Sequence, residues 1–160
     1  MIGFMGVGKS TLGQLLAGRL GMPFYDMDDE IERTSGKKIG EIFEAEGEEA
    51  FRALESELLR SIVKRAPGVV ATGGGTFCRP ENRDLIRSAG VSVWLDAPIE
   101  LILERGSREN QRPLWTSPER IRSLLEDRLP LYDQADVHFR IESLPRDETV
   151  TQLARAVEAH

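Results

Sequence analysis

A glycine-rich stretch near the beginning of the chain constrains the fold more than any other feature of the sequence. Residues 3–10 read GFMGVGKS and match the pattern G-x-x-x-x-G-K-[ST], with Thr11 and a helical pattern directly after them. Glycines let successive backbone N–H groups turn inward around an anion, and the following helix adds the positive end of its dipole. The pattern predicts a phosphate-binding loop in which Lys9 reaches the β- and γ-phosphates and Ser10 binds Mg²⁺. The alternative is a glycine-rich turn without a ligand.

Short β-branched or aromatic runs alternate with longer segments of helical period along the rest of the chain. The candidate strands are residues 23–26, 69–72, 91–95 and 137–141. Apolar residues recur at helical spacing between these runs, as they also do before the first of them. This alternation predicts an α/β protein built on a parallel sheet.

The charge balance limits the partners of the chain. The sequence has 21 Lys and Arg residues against 27 Asp and Glu residues, which gives a net charge of −6. Nucleic-acid backbones require a basic surface, so this balance argues against general nucleic-acid binding. We therefore expect a small-molecule ligand.

Length and residue usage further limit the class of protein to which the chain can belong. The 160 residues suit a single domain, 1–160, and no apolar run approaches the 18 residues of a membrane span. A single cysteine, Cys78, excludes an internal disulfide, and two histidines leave no ligand set for structural zinc. We expect a cytoplasmic monomer without a membrane partner.

An acidic run follows the first candidate strand. Asp26 and Asp28 lie two residues apart, so in extended backbone their side chains point the same way. Phosphoryl transfer requires an acid that organises Mg²⁺ and a base that accepts the proton of the attacking hydroxyl, and this pair suits both roles. The alternative is that the acids stabilise the start of the next helix, and this is the interpretation we favour for Asp29 and Glu30.

An arginine stands among the apolar positions of a later helix. Arg52 follows Phe51, and its planar fork suits a ligand carboxylate. Three glutamates could pair with it instead: Glu48, Glu49 and Glu55. The sequence alone leaves these two interpretations equally open.

Two further patterns offer candidate ligand contacts. Gly73, Gly74 and Gly75 follow the second candidate strand, and their N–H groups could donate to a bound hydroxyl or phosphate, or the glycines could form a tight turn. Arg128 lies near the end of a predicted helix, where it could bind a ligand or interact with the helix dipole.

A polar segment with two prolines fits no helix or strand. Residues 106–118 read GSRENQRPLWTSP, and we call them the loop 106–118. Segments of this length without regular structure are uncommon in compact domains and often form lids or binding loops. The alternative is a tolerated surface insertion.

The phosphate-binding pattern normally follows a buried strand, yet only Met1 and Ile2 precede Gly3 here. A central strand this short would lose hydrogen bonds and apolar burial beside the loop. Our hypothesis is that the natural product begins a few codons upstream.

Six motifs together resemble the shikimate kinase family. They are G-x-x-x-x-G-K-S-T at 3–11, D-x-D at 26–28, F-R-x-x-E at 51–55, G-G-G at 73–75, R-P-L at 112–114 and R-x-P-L-Y at 128–132. The resemblance implies the nucleoside monophosphate kinase fold: a three-layer α/β sandwich whose five-stranded parallel sheet has the order 2-3-1-4-5. It also implies ATP-dependent phosphorylation of the 3-hydroxyl of shikimate, in aromatic amino acid biosynthesis.

The resemblance assigns a nucleotide side of the site. The ATP-binding residues it implies are Gly6, Val7, Gly8, Lys9, Ser10, Thr11, Arg105, Arg112 and Arg146. Among them, Arg112 would close over the transferring phosphoryl group, whereas Arg105 and Arg146 would lie near the adenine. Asp26 would hold Mg²⁺ together with Ser10.

The resemblance also assigns an acceptor side. Asp28 would bind the shikimate hydroxyls and act as the base, and Arg52 and Arg128 would hold the carboxylate. Gly74 and Gly75 would offer backbone contacts. Two aromatic side chains would pack against the ring of the acceptor, namely Phe43 and Phe51.

Two rival functions remain open at this point. Another small-molecule kinase with the same phosphate loop, such as a gluconate kinase, would share Lys9 and Ser10 but gives no reason for Arg52, the three glycines and Arg128 together. A nucleotide-dependent binding module that has lost catalysis would not need Asp26 and Asp28 intact.

Overall fold

Helices and short parallel strands alternate along the chain. The structure, a computed structural model, describes residues 1–65, 67–106, 114, 117–141 and 145–160. In these ranges the α-helices are α1 (Lys9–Leu20), α2 (Met27–Ser35), α3 (Ile39–Ile62), α4 (Pro80–Ala89), α5 (Ile99–Gly106), α6 (Pro118–Tyr132) and α7 (Arg146–Glu158). The strands are β1 (Phe24–Asp26), β2 (Val69–Ala71), β3 (Val93–Asp96) and β4 (Val137–Arg140). The predicted α/β class is therefore confirmed.

Each of the four strands overlaps one of the four predicted runs, and the strands form two parallel pairs. In the first pair Phe24 is opposite Val69, and in the second Val93 is opposite Val137. The candidate run 91–95 is shifted, because the strand begins at Val93 and continues to Asp96.

Met1 and Ile2 lie between the two pairs and bond to both. The Met1 nitrogen donates to the Val70 carbonyl at 2.7 Å, and the Ile2 N–H donates to the Val93 carbonyl at 2.8 Å. The Leu95 N–H returns a bond to the Ile2 carbonyl at 3.0 Å. These two residues thereby place β2 and β3 on either side of the segment that leads into the loop 3–8.

The main apolar core packs around this segment. Ile2 and Phe4 are almost fully buried in a cluster that includes Leu16 of α1, Leu95 of β3 and Leu153 of α7. This packing fixes the loop 3–8 between the sheet and helix α1, since both of its flanks are buried.

Helices α2 and α3 pack on each other beside the sheet. Ile31, Ile42 and Phe51 form a separate small cluster between them. Helix α3 is interrupted at Gly47, where φ is +84°, a conformation that glycine adopts readily because it has no Cβ. The helix thus bends just before the turn that carries Arg52. Over the described ranges, no helix is long and apolar enough to cross a membrane.

Candidate active site

The loop 3–8 has the backbone shape of an anion-binding nest. Gly3, Gly6 and Gly8 all have positive φ, at +135°, +78° and +97°, which is sterically easy only for glycine. Helix α1 begins at Lys9, so its unpaired N-terminal N–H groups face the loop. The residue types and the backbone shape agree with the predicted phosphate site.

Lys9 is held inside this loop. Its side chain is 7% exposed, and its Nζ donates to the Gly3 carbonyl at 3.0 Å and to the Phe4 carbonyl at 2.8 Å. These bonds draw the ammonium group across the mouth of the loop. By contrast, Ser10 and Thr11 are exposed in the first turn of α1.

The arginines expected on the nucleotide side differ in position. Arg105, in the last turn of α5, donates from Nη1 to the Val7 carbonyl at 3.3 Å, so it touches the loop 3–8. Arg146 is exposed at the start of α7 and makes no hydrogen bond to that loop among the described residues. Arg112 lies outside the described residues, as does most of the loop 106–118. The prediction that this segment contains no helix is wrong at its two ends, because Gly106 ends α5 and Pro118 begins α6.

The expected parallel arrangement of Asp26 and Asp28 is wrong. Extended backbone ends at Asp26, and α2 begins at Met27, so Asp28 lies in the first helical turn. Asp26 is the N-cap of that helix: its Oδ1 accepts from the N–H of Asp28 at 3.0 Å and from that of Asp29 at 3.4 Å. The cap is therefore Asp26 rather than Asp29 or Glu30, and Glu30 instead pairs with Arg65 at 2.6 Å.

A cavity of about 650 Å³ gathers the residues expected on the acceptor side. It is lined by Asp28 from α2, by Arg52 from α3, by the glycines after β2 and by Arg128 from α6. The described lining also includes Met5, Phe43, Phe51, Glu55 and Leu114. The chain thus brings together groups that are up to a hundred residues apart in sequence.

Arg52 is buried and doubly paired in this cavity. It is 9% exposed, and its Nη1 donates to Glu55 at 2.6 Å while its Nη2 donates to Glu48 at 3.0 Å. Burial opposes the guanidinium charge, but Glu55 and Glu48 outweigh it and raise the pKa of Arg52. Of the two interpretations left open by the sequence, the pairing of Arg52 with glutamates is observed. The Arg52 side chain also lines the cavity, where a ligand could reach it.

Arg128 reaches the same cavity in a different setting. It is 7% exposed, and its Cζ lies 5.6 Å from the centre of the Phe4 ring, an arrangement typical of a cation–π contact. It makes no ion pair with a carboxylate among the described residues. A purely electrostatic role at the helix end does not explain this burial, because such charges usually stay in water.

Close contacts surround the three glycines. A Cβ on Gly73 would lie 2.0 Å from Glu55 Oε1, and one on Gly75 would lie 2.5 Å from Arg52 Cζ. A Cβ on Gly74 would lie 3.3 Å from Arg128 Nη1 and 3.4 Å from the Met5 nitrogen. The backbone therefore lies directly against both guanidinium groups. It also joins the cavity to the loop 3–8.

Glu55, Thr76 and Tyr132 also take part in this site, although the sequence analysis gave none of them a role in binding ligand. Glu55 is 1% exposed and accepts from both Arg52 and the Thr76 hydroxyl, the latter at 2.7 Å. The sequence offered Glu55 as one of three possible partners of Arg52, and the spacing of three residues on one helix agrees with this pair. Tyr132 donates its hydroxyl to the Gly74 carbonyl, and no spacing in the sequence points to that contact.

The described side chains offer enough oxygen ligands for Mg²⁺ only together with the phosphates of a nucleotide. Within the described ranges, no three His, Cys, Asp or Glu side chains form a group that could hold a metal. The described residues do offer the exposed Ser10 hydroxyl and the second carboxylate oxygen of Asp26, which is not used in capping α2. Mg²⁺ in kinases is typically held by one or two side chains together with substrate phosphates and water, so this set fits.

Comparison with known proteins gives one consistent family. The family model described as shikimate kinase matches residues 5–158. The shikimate kinase of Rhodopseudomonas palustris is 42% identical over 160 residues, which cover 98% of this chain and 79% of that protein.

Solved structures give the same picture. A shikimate kinase from Acinetobacter baumannii in complex with shikimate has a TM-score of 0.89 and 38% identity, with 99% of this chain and 91% of that chain covered. A gluconokinase from Sinorhizobium meliloti has a TM-score of 0.57 and 19% identity, with 99% of this chain and 91% of the gluconokinase chain covered. This likeness shows a shared fold alone. The chain belongs to the shikimate kinase family.

Proposed function

We propose that this chain transfers the γ-phosphoryl group of ATP to the 3-hydroxyl of shikimate, giving shikimate 3-phosphate and ADP in aromatic amino acid biosynthesis. One observation carries the proposal: two buried guanidinium groups and a carboxylate line one cavity whose glycine wall touches the phosphate loop. Family membership supports the same activity.

The proposed architecture is a single domain with one continuous sheet. Met1 and Ile2 bond to β2 on one side and to β3 on the other. This supports the five-stranded parallel order 2-3-1-4-5, in which the short segment 1–2 is strand 1 and β1, β2, β3 and β4 are strands 2, 3, 4 and 5. In a three-layer α/β sandwich of this kind, ligands bind at the carboxyl ends of the strands. The loop 3–8 and the glycines 73–75 both follow strands at that edge.

On the nucleotide side, we propose that the loop 3–8 and the first turn of α1 bind the phosphates of ATP. Phosphoryl transfer depends mainly on positioning and on positive charge around the γ-phosphate. Lys9 would exchange its present carbonyl contacts for phosphate oxygens, and Arg105 would bind the nucleotide from α5. We also assign Arg112 and Arg146 to this side.

On the acceptor side, we propose that Arg52 and Arg128 bind the carboxylate of shikimate. A protein with a net charge of −6 repels an anion, so the local positive charge of these two side chains is needed. Asp28 would accept the proton of the attacking hydroxyl. The Gly74 and Gly75 backbone and the rings of Phe43 and Phe51 would complete the contacts.

Mg²⁺, when bound with ATP, would neutralise charge on the β- and γ-phosphate oxygens. Ser10 and Asp26 are the side chains that we assign to it. Because Asp26 also caps α2, its position is fixed by the same helix that carries Asp28. We further propose that the loop 106–118 acts as a lid, since Leu114 lines the cavity.

A coupled ADP-release assay tests the proposed function. The purified chain is given ATP and Mg²⁺ with shikimate, quinate or gluconate in turn. We expect ADP release with shikimate to exceed release with the other acids by at least about tenfold, and to be lost in Lys9→Met. Lys64→Met, which removes an exposed lysine in the turn after α3, is the matched control and should keep full activity.

Each other outcome has a distinct meaning. Preferential ADP release with gluconate would replace shikimate kinase by the rival sugar-acid kinase. No release with any acid, from a folded chain that still binds ATP, would favour the nucleotide-dependent binding module.

A further inference from the structure

The glycine wall of the acceptor cavity is anchored from behind by a tyrosine. Tyr132, the last residue of α6, is 0% exposed, and its hydroxyl donates to the Gly74 carbonyl. Its ring packs 6.0 Å from that of Trp94, and it is not among the residues that line the cavity. Tyr132 therefore contacts the glycines without lining the cavity itself, and its hydroxyl also interacts with Arg128, four residues earlier on α6.

This contact determines the orientation of one peptide unit. In a trans peptide the carbonyl oxygen and the following N–H point in opposite directions. With the Gly74 oxygen held toward Tyr132, the Gly75 N–H points away from Tyr132, and Gly75 itself lines the cavity. The Gly75 N–H has no hydrogen-bond acceptor among the described residues.

The surroundings of this N–H suit a carboxylate. A Cβ on Gly75 would lie 2.5 Å from Arg52 Cζ, and one on Gly74 would lie 3.3 Å from Arg128 Nη1, so the peptide lies next to both guanidinium groups. A carboxylate held by these arginines has lone pairs left to accept a further backbone bond.

Three successive glycines hold one backbone orientation only if a neighbouring group fixes it. Three in succession have more backbone freedom than any other tripeptide, so an unanchored peptide here would sample several orientations. Tyr132 can serve as a constant donor, because burial raises the pKa of its phenol even though Arg128 opposes the shift. The hydroxyl therefore stays protonated throughout the working pH range.

We propose that Tyr132 is a positioning residue that orients the peptide between Gly74 and Gly75, so that the Gly75 N–H donates to the carboxylate of the acceptor. The inference rests on the proposed function, since it takes shikimate as the acceptor. Tyr132 itself touches no substrate; it acts through the backbone of the glycines.

Steady-state kinetics of Tyr132→Phe test this role. The variant keeps the ring and removes only the hydroxyl. We expect KM for shikimate to rise about tenfold, as for one lost hydrogen bond to a charged group, with kcat within threefold and KM for ATP within twofold of the parent chain. Tyr25→Phe is the matched control: Tyr25 is the only other tyrosine, it does not line the acceptor cavity, and all its constants should stay within twofold.

Two results would overturn the inference. One is unchanged KM for shikimate in Tyr132→Phe, and the other is a lowered melting temperature with both KM values changed equally, which indicates a merely structural role. Failure of the proposed function looks different, because the parent chain itself would then release no ADP with shikimate.

A second measurement needs no variant and covers the case in which Tyr132→Phe fails to fold. The ¹⁵N-labelled parent chain is titrated with shikimate, and the amide resonances of the glycines are followed by NMR. We expect the Gly75 amide proton to move downfield by several tenths of a ppm on saturation, as its N–H gains an acceptor. A Gly75 resonance that does not move while others report binding would overturn the inference. An equal Gly75 shift in a folded Tyr132→Phe variant would overturn it too, since any change in KM would then come through Arg128.

Discussion

The two buried arginines of the acceptor cavity have the same chemistry but opposite surroundings. Arg52 is held by two carboxylates on its own helix, Glu55 inside and Glu48 outside. Arg128 rests on the Phe4 ring and has no ion pair with a carboxylate in the described parts of the chain. Carboxylates thus balance the positive charge of Arg52 before a ligand arrives, whereas none among the described residues pairs with Arg128.

This difference suggests a division of labour. Because Glu55 is 1% exposed and also accepts from Thr76, its pair with Arg52 is part of the folded structure. The side chain of Glu48 is 52% exposed, so its bond to Arg52 can be exchanged for a ligand at small cost. We therefore expect Arg52 to orient the acceptor and Arg128 to supply more of the attraction.

Asp28→Asn should have the largest effect of these variants, because it removes the proposed base. It also separates turnover from the acceptor binding that the two arginines provide. If Asp28 is the base, kcat should fall by about 10²–10⁴, with KM for shikimate changed much less. Steady-state and single-turnover rates measure this. A rate close to that of the parent chain would leave Asp28 outside the chemistry.

Glu55→Gln should be the most destabilising change on the Arg52 side. It removes the buried partner of a buried cation, and we expect the free energy of unfolding to fall by about 3 kcal/mol. Urea denaturation measures it, with Glu48→Gln as the matched control that loses only the exposed partner. Equal losses for both variants would contradict the distinction between inner and outer glutamate.

Arg128→Ala should weaken acceptor binding more than Arg52→Ala. In Arg128→Ala we expect KM for shikimate to rise by the factor that corresponds to a loss of roughly 1.5–3 kcal/mol of binding free energy. KM for ATP should stay unchanged. In Arg52→Ala the rise should be smaller, because the parent chain gives up the Glu48 contact when it binds the ligand. A larger effect for Arg52 than for Arg128 would reverse the proposed division.

Glu48→Gln should have the smallest effect and the opposite sign. Without its outer competitor, Arg52 is freer to meet the carboxylate, so KM for shikimate should fall, by less than about threefold. The same assay at two salt concentrations checks that the change is electrostatic, since added salt should reduce it. A raised KM would show that Glu48 helps to place Arg52.

The parts of the molecule that depend on consecutive residues could be predicted from the sequence. The loop from Gly3 to Gly8 is one such part, because its shape follows from the positions of its glycines, and the four strands are another. The orientation of Asp26 and Asp28 could not be predicted, since it depends on where extended backbone ends. Helix α2 begins one residue after Asp26.

The acceptor cavity was harder to predict because its contacts join distant segments. The sequence shows that Arg52 has glutamates nearby, but only the fold shows that Glu48 and Glu55 take it while Glu49 pairs with Arg79. Likewise, Tyr132 bonds to a backbone carbonyl 58 residues away. A main-chain acceptor has no residue type, so no motif could reveal it.

A crystal structure of the chain with shikimate bound would show directly whether the two arginines bind the acceptor. We expect the carboxylate of shikimate to contact the guanidinium groups of Arg52 and Arg128 at hydrogen-bond distance, with the Arg52–Glu55 pair kept and a hydroxyl directed toward Asp28. Shikimate bound outside this cavity, or bound in it with its carboxylate away from both arginines, would rule out this binding mode.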